Sequence, residues 1–250
     1  RRLSFDLTQK LDAAIILGFI TLLMCLTIMT EAFYVSGNGT GSHAEALIGK
    51  AIGKALISAN ISQSLGLLLH EICWWLHVLL ILSFSIVIPL SKHTHLLGAP
   101  VNFFFRSLES PGTLTTPNLA ESDAFGAINV KDFTWKQLLD GYACAVCGRC
   151  SDVCPANFSG KSLSPMHIVA SLKDHTQKVG PSIIKGSSIE QANPLVPNEI
   201  PQEAIWDCLT CGACVYECPV GVEHVQTIVD VRRHLVMEKA EIPETGQAAL

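Results

Sequence analysis

The chain is short of charge and of aromatic rings: 16% of its 250 residues are charged and 7% aromatic, against 49% hydrophobic. It has no Gly-x-Gly-x-x-Gly run, which removes the usual dinucleotide phosphate loop. The Gly37-Asn38-Gly39-Thr40-Gly41 run reads only as a loop. It has no basic excess, its net charge being −5, so nucleic acid is not an expected partner. No residues are arranged as a catalytic acid, base or nucleophile. There is no Met at the start, where Arg1-Arg2 stand instead. No small-residue cleavage site follows a short apolar region, so an export signal is disfavoured and the chain is read as a piece of a longer protein.

The composition is split. Residues 1–106 carry 7 Lys/Arg and 5 Asp/Glu; residues 107–250 carry 10 and 17. The apolar excess lies in the first part.

Against this stand ten cysteines, eight of them in two copies of one pattern. The first is Cys144-x2-Cys147-x2-Cys150-x3-Cys154-Pro155, the second Cys208-x2-Cys211-x2-Cys214-x3-Cys218-Pro219. This spacing holds two [4Fe–4S] clusters in bacterial-type ferredoxins, where the fourth cysteine of each run ligates the other cluster. The expected sets are Cys144, Cys147, Cys150 and Cys218 for one cluster, and Cys208, Cys211, Cys214 and Cys154 for the other. Gly148 and Gly212 are expected to admit backbone N–H groups to sulfur, and Pro155 and Pro219 to stop any helix from running back into the site. Structural zinc favours separated Cys pairs, and disulfides need an oxidising compartment. Cys25 and Cys73 lack metal spacing and read as small buried hydrophobes.

Two spans are expected, at about residues 11–31 and 65–90, each long enough to cross a bilayer. Arg1, Arg2, Lys10, Lys92 and Arg106 flank them, while Lys50 and Lys54 lie between. That bias places both ends in the cytoplasm and the protein in the inner membrane as a multi-pass chain. Ala44–Ser58 reads as a short interfacial helix, and Trp74-Trp75 as belt anchors.

Ionisable residues inside a span are functional candidates. His77 and His95 are 18 residues apart. On one continuous helix that is about five turns, or about 27 Å along one face. They are therefore candidate axial ligands of haem b, each needing a partner from another helix, because the first span has no histidine. Taken alone, each histidine reads as an interfacial hydrogen bonder. His70 lies near the same face.

Residues 107–130 read as a linker and 131–240 as an all-helical two-cluster domain, with 241–250 starting a further linker. Within the domain, helices are expected at Trp135–Tyr142, capped by Thr134, at Met166–Lys173, announced by Ser164-Pro165, and at Val222–Glu238, with Lys178–Pro201 as loop. Arg232 and Arg233 read as a solvated basic turn. The fold class is mainly α: two transmembrane helices followed by the helical ferredoxin domain.

The cysteine region, with its Trp206-Asp207-Cys208-Leu209-Thr210-Cys211-Gly212-Ala213-Cys214 phrase, resembles the helical ferredoxin module of the heterodisulfide reductase family. Residues 63–106 resemble the last membrane helix of nitrate reductase gamma-type cytochrome b subunits. The resemblance implies a fused membrane Fe–S oxidoreductase that passes electrons between a quinone pool, through haem b, and a cytoplasmic reductase site. That site would sit on a Cys-Cys-Gly-type domain or a soluble oxidoreductase subunit, with no catalytic residue in this chain. The rival reading is a haem-free membrane anchor and ferredoxin subunit. Membrane lipid and quinone are the expected non-protein partners.

Overall fold

The computed structural model describes residues 7–39, 46–110, 112–117, 125–186, 194–243 and 246. The chain divides into two compact units, Arg1–His93 and Thr94–Leu250.

The first unit holds α1 (Leu7–Asn38), α2 (Leu47–Ser58) and α3 (Gln63–Leu90). Ser62 caps α3, its hydroxyl accepting from Leu65 N. Stretches of α1 (Ala13–Asn38) and α3 (Gln63–Pro89) are long and apolar enough to cross a membrane. Their polar side chains are absorbed locally. The hydroxyls of Thr27, Thr30, Ser83 and Ser85 each donate to the carbonyl four residues back, which hides them within an apolar helix. Large apolar side chains such as Leu17, Met24 and Ile86 stand exposed.

Glycine sets how closely these helices approach. A Cβ on Gly66 of α3 would lie 2.9 Å from the Gly37 nitrogen of α1. One on Gly53 of α2 would lie 2.7 Å from the Ala32 carbonyl oxygen. Small residues at such crossings let backbones meet. The Gly37-Asn38 run is therefore helix and not loop, because α1 needs Gly37 to pack on α3; Thr40 and Gly41 lie outside the described residues. The interfacial helix begins at Leu47, and Ala44 lies outside the described residues. Cys25 is exposed and Cys73 half-buried, so neither is the buried hydrophobe expected.

Pro89 stands in the last turn of α3, and Ser91 follows in extended backbone (φ −107°, ψ 175°). A short 3-10 turn, Lys92–Thr94, precedes α4, which starts at His95. His77 and His95 are therefore on different helices. The single continuous helix that gave them one face and a rise of about 27 Å is not formed: Pro89, with no N–H to return to the Ser85 carbonyl, weakens the last turn, and the chain leaves the helix at Ser91.

The second unit holds α4 (His95–Phe104), α5 (Trp135–Ala143), α6 (Arg149–Asp152), α7 (Pro155–Phe158), α8 (Pro165–Ile184), α9 (Gln202–Trp206), α10 (Ala213–Tyr216) and α11 (His224–Met237), with a 3-10 turn at Val130–Asp132 and a helical turn at Leu195–Asn198, inside the stretch expected as loop. It has no strand among the described residues. Leu163, Ile168, Leu172, Ile205, Ile228 and Val231 form the centre of the core. Thr134 and Gln137 make a capping box at α5, and Ser164 with Pro165 opens α8. α8 continues past Lys178, where loop was expected, because a further turn buries Val179.

The 107–129 segment, expected as a linker, is held along α11. Ser107 N donates to Glu223 Oε1 (2.8 Å), Thr115 N to Gln226 Oε1 (3.0 Å) and Phe125 N to Glu238 Oε1 (2.8 Å). Residues 118–124 lie outside the described part. α4 packs on α5: a Cβ on Gly98 would meet the Tyr142 carbonyl oxygen at 2.9 Å.

Candidate functional site

Each cysteine run is a loop feeding a single helical turn. Val146 (φ 51°) and Thr210 (φ 54°), two residues after the first cysteine of each run, are both left-handed. So are Gly148 (φ 85°) and Gly212 (φ 74°), which N-cap α6 and α10. No protein atom lies within 4 Å of a Cβ placed on either glycine. Among the protein's own atoms, then, what these glycines supply is the left-handed backbone. A β-branched valine in that region is strained, as backbone at functional sites often is. Pro155 is the first residue of α7. It starts a helical turn as well as blocking a continuation, since N1 needs no N–H donor.

The runs converge crosswise. Cys154, Cys208, Cys211 and Cys214 line one small chamber, walled by the apolar side chains of Leu163, Val225 and Ile228. Cys144 packs with Cys218. Cys150 feels the charge of Cys144, Cys218 and Cys147 and also that of Cys214 in the neighbouring group. The fourth cysteine of each run thus stands with the first three of the other. Among the described residues, no three His, Cys, Asp or Glu side chains converge on a geometry for a single metal ion.

Electrostatics make these quartets poor homes for free thiolates. Burial pushes the Cys150 and Cys214 thiols up to about 12, and neighbouring cysteines add to the rise. Burial likewise raises Cys144 and Cys208, opposed by the N–H groups of Val146 and Thr210. Multivalent iron removes this penalty by binding the thiolate form, so the donor set fits [4Fe–4S] clusters. Backbone N–H groups already aim at sulfur: Thr210 N at Cys208 Sγ and Val222 N at Cys218 Sγ, both 3.4 Å.

Several supporting residues escaped the sequence reading. Asp207 accepts from Lys161 Nζ (2.9 Å), Ser162 N (3.1 Å) and Ser162 Oγ (3.0 Å). Burial would raise its carboxyl, but these bonds win and hold it below the usual range. Asp140, 1% exposed, accepts from Lys136 Nζ (2.7 Å), Asn102 Nδ2 (2.9 Å) and Glu223 N (3.2 Å). Arg232 is half-buried and its guanidinium donates to the carbonyls of Ile205, Trp206 and Cys208; the solvated turn expected from the sequence is wrong for this residue. Charge and spacing gave no hint of Asn102 or Asp140. Trp206 and Asp207 carried a signal in the phrase around Cys208.

The comparisons agree with this geometry. Residues 136–219 match the family model described as a 4Fe-4S dicluster domain. That segment contains both cysteine runs and is similar to iron–sulfur dicluster domains. The chain is also similar to the "Probable iron-sulfur-binding oxidoreductase FadF" of Bacillus subtilis, 35% identical over 80% of this chain and 33% of that protein. It is 33% identical to the "EtfAB:quinone oxidoreductase" of Syntrophomonas wolfei, over 76% of this chain and 29% of that protein. It is 37% identical to a "Probable membrane-anchored ferredoxin" of Chromohalobacter salexigens, over 52% of this chain and 22% of that protein. The chain spans a third or less of the length of these relatives. No solved structure matches significantly. The chain is thus similar to iron–sulfur oxidoreductases and to a membrane-anchored ferredoxin, and has two helices long and apolar enough to cross a membrane.

The histidines are less concentrated. His70 Nδ1 meets the Thr30 carbonyl at 2.9 Å, and its ring stands edge-on to Tyr34, so it ties α3 to α1. His77 lines an open groove with Thr27, Thr30, Glu31, Gly49 and Trp74, and its Nδ1 is buried without a hydrogen-bond partner. His77 is the sole histidine lining this groove, among the described residues. The groove therefore supplies one histidine, and a haem there would need its second ligand from another helix, as the sequence reading required.

Proposed function

We propose that the chain is the membrane-anchored relay of a quinone-linked oxidoreductase. It would carry electrons between a quinone pool and a reductase site on the cytoplasmic side. The single observation that best supports this is the crosswise convergence of the two cysteine runs, in which Cys154 stands with Cys208, Cys211 and Cys214 and Cys218 with Cys144. A [4Fe–4S] cluster, when bound, takes up and gives back one electron. The protein's part is to hold eight thiolates in two half-buried quartets, exclude water with Leu163 and Ile228, and point N–H groups at sulfur.

Lys/Arg flanking favours both ends of the membrane region in the cytoplasm, as a two-span anchor. The quinone part of the reading draws on the likeness to the Syntrophomonas quinone oxidoreductase. A haem at His77 needs a second axial donor from outside α1–α3, since α1 and α2 contain no histidine and His70 is engaged with Thr30. The second reading, a haem-free anchor and ferredoxin subunit, is favoured by the separation of His77 and His95 onto different helices.

The test is anaerobic purification in detergent with iron, sulfide and haem analysis. The relay reading expects about eight irons per chain and a reduced-state EPR spectrum of two coupled centres. Absence of iron–sulfur signal from folded protein overturns it. A pyridine haemochrome spectrum separates the two readings of the membrane part.

A further inference from the structure

The two cysteine runs repeat not only their ligands but a cation beside each. Trp206 lies two residues before Cys208, and the Arg232 guanidinium sits 5.4 Å from its ring centroid. Tyr142 lies two residues before Cys144, and Lys173 Nζ sits 5.8 Å from its ring centroid. The charge of Arg232 acts on Cys208, and that of Lys173 on Cys144.

The two cations are unequal. Arg232 Nε and Nη2 both reach the Ile205 carbonyl, at 2.9 and 2.7 Å. Nη2 also reaches the carbonyls of Trp206 (3.0 Å) and Cys208 (2.6 Å). These carbonyls end α9 and lead directly into the second run, where a helix has acceptors without intrahelical partners. A planar guanidinium can span them; a lysine ammonium is a mobile, strongly hydrated point charge. Arg232 is also uncompensated among the described residues, since its hydrogen bonds all go to neutral carbonyls. Its neighbour Arg233 is instead paired with Asp230 at 2.7 Å.

We propose that Arg232 is a positioning residue that fixes the entry to the second cysteine run and raises the reduction potential of the centre held by Cys154, Cys208, Cys211 and Cys214 above that of its counterpart. Reduction adds one negative charge to the centre. A fixed positive charge in a half-buried site favours the reduced form, and local charge and hydrogen bonding are the levers on such potentials. The repeat therefore encodes an electron sink on the Arg232 side. This rests on the two-cluster reading above.

The experiment is an EPR-monitored redox titration of the detergent-purified chain with its clusters, alongside iron analysis. Wild type is expected to show two midpoints. Arg232→Gln should lower the higher midpoint and leave the lower in place, with iron content unchanged, and Arg232→Lys should fall between. Lys173→Arg should raise the lower midpoint and narrow the gap. An Arg232→Gln protein that keeps its iron and titrates like wild type overturns the proposal. If Arg232→Gln loses iron, Lys173→Arg decides: a raised lower midpoint supports the assignment and an unchanged one overturns it. A wild-type chain without iron would instead sink the two-cluster reading, which keeps the two failures distinct.

Discussion

Asn102 Nδ2 donates to Asp140 Oδ1 at 2.9 Å, joining α4 to α5. The same amide nitrogen reaches the carbonyls of Val220 (3.0 Å) and Gly221 (3.2 Å), just past Cys218. Asn102 is 0% exposed. One side chain thus holds the carboxylate below the first cysteine run and the backbone that leaves the second.

Asn102→Ala should cost about 2–3 kcal/mol, because it leaves a buried ionisable acceptor and two carbonyls short of a donor. Guanidinium titration followed at the cluster absorbance should show a lower midpoint. Asn102→Gln should not restore it, since a longer side chain overfills the site. Stability equal to wild type would refute the clamp.

Cys218→Ala should produce the same EPR defect as Cys144→Ala, and Cys154→Ala the same as Cys208→Ala. Each pair shares a quartet although its members are far apart in sequence. If Cys218→Ala instead matched Cys208→Ala, each run would hold its own cluster and the crosswise assignment would be wrong.

Gly148→Ala and Gly212→Ala should each destabilise by about 1–2 kcal/mol, since an L side chain at left-handed φ is strained even with free space around it. Gly180→Ala should be neutral or slightly stabilising, because Gly180 lies inside helical α8 with nothing within 4 Å of an added Cβ. Thermal bleaching of the clusters compares all three.

His224 should make the protein acid-sensitive. Burial, reinforced by Lys136 and opposed by a Val222 backbone bond, lowers its pKa to about 4. The folded state keeps it neutral while the unfolded chain protonates it below about 6.5. Stability is therefore full above about pH 6.5, declines as pH falls, and levels off below about 4, a total of about 3 kcal/mol. His224→Gln should flatten the pH dependence of the melting temperature between pH 7 and 5 relative to wild type. An unchanged slope would remove His224 as the cause.

The sequence was most legible where chemistry is local. Cysteine spacing picked out the eight side chains that the fold gathers into two groups, and Thr134 and Ser164 announced their helices because a cap acts within three or four residues. Apolar runs marked both spans, since bilayer thickness sets their length. It misled where packing overrules local preference. The Gly37 run became helix because α1 must meet α3 closely, α8 outran its expected end to bury Val179, and Pro89 broke the helix that was to carry both His77 and His95.

By itself, then, the sequence determined the cofactor class, the eight cysteines, the helical class and the two apolar spans, all fixed by spacing or composition along the chain. Only the tertiary structure decided that Asn102 and Asp140 form one buried clamp, that Ser107, Thr115 and Phe125 are held along α11, and that Arg232 closes on three carbonyls beside Cys208. Those groups come from distant parts of the chain, and no periodicity records a contact that exists only once the core has closed around it.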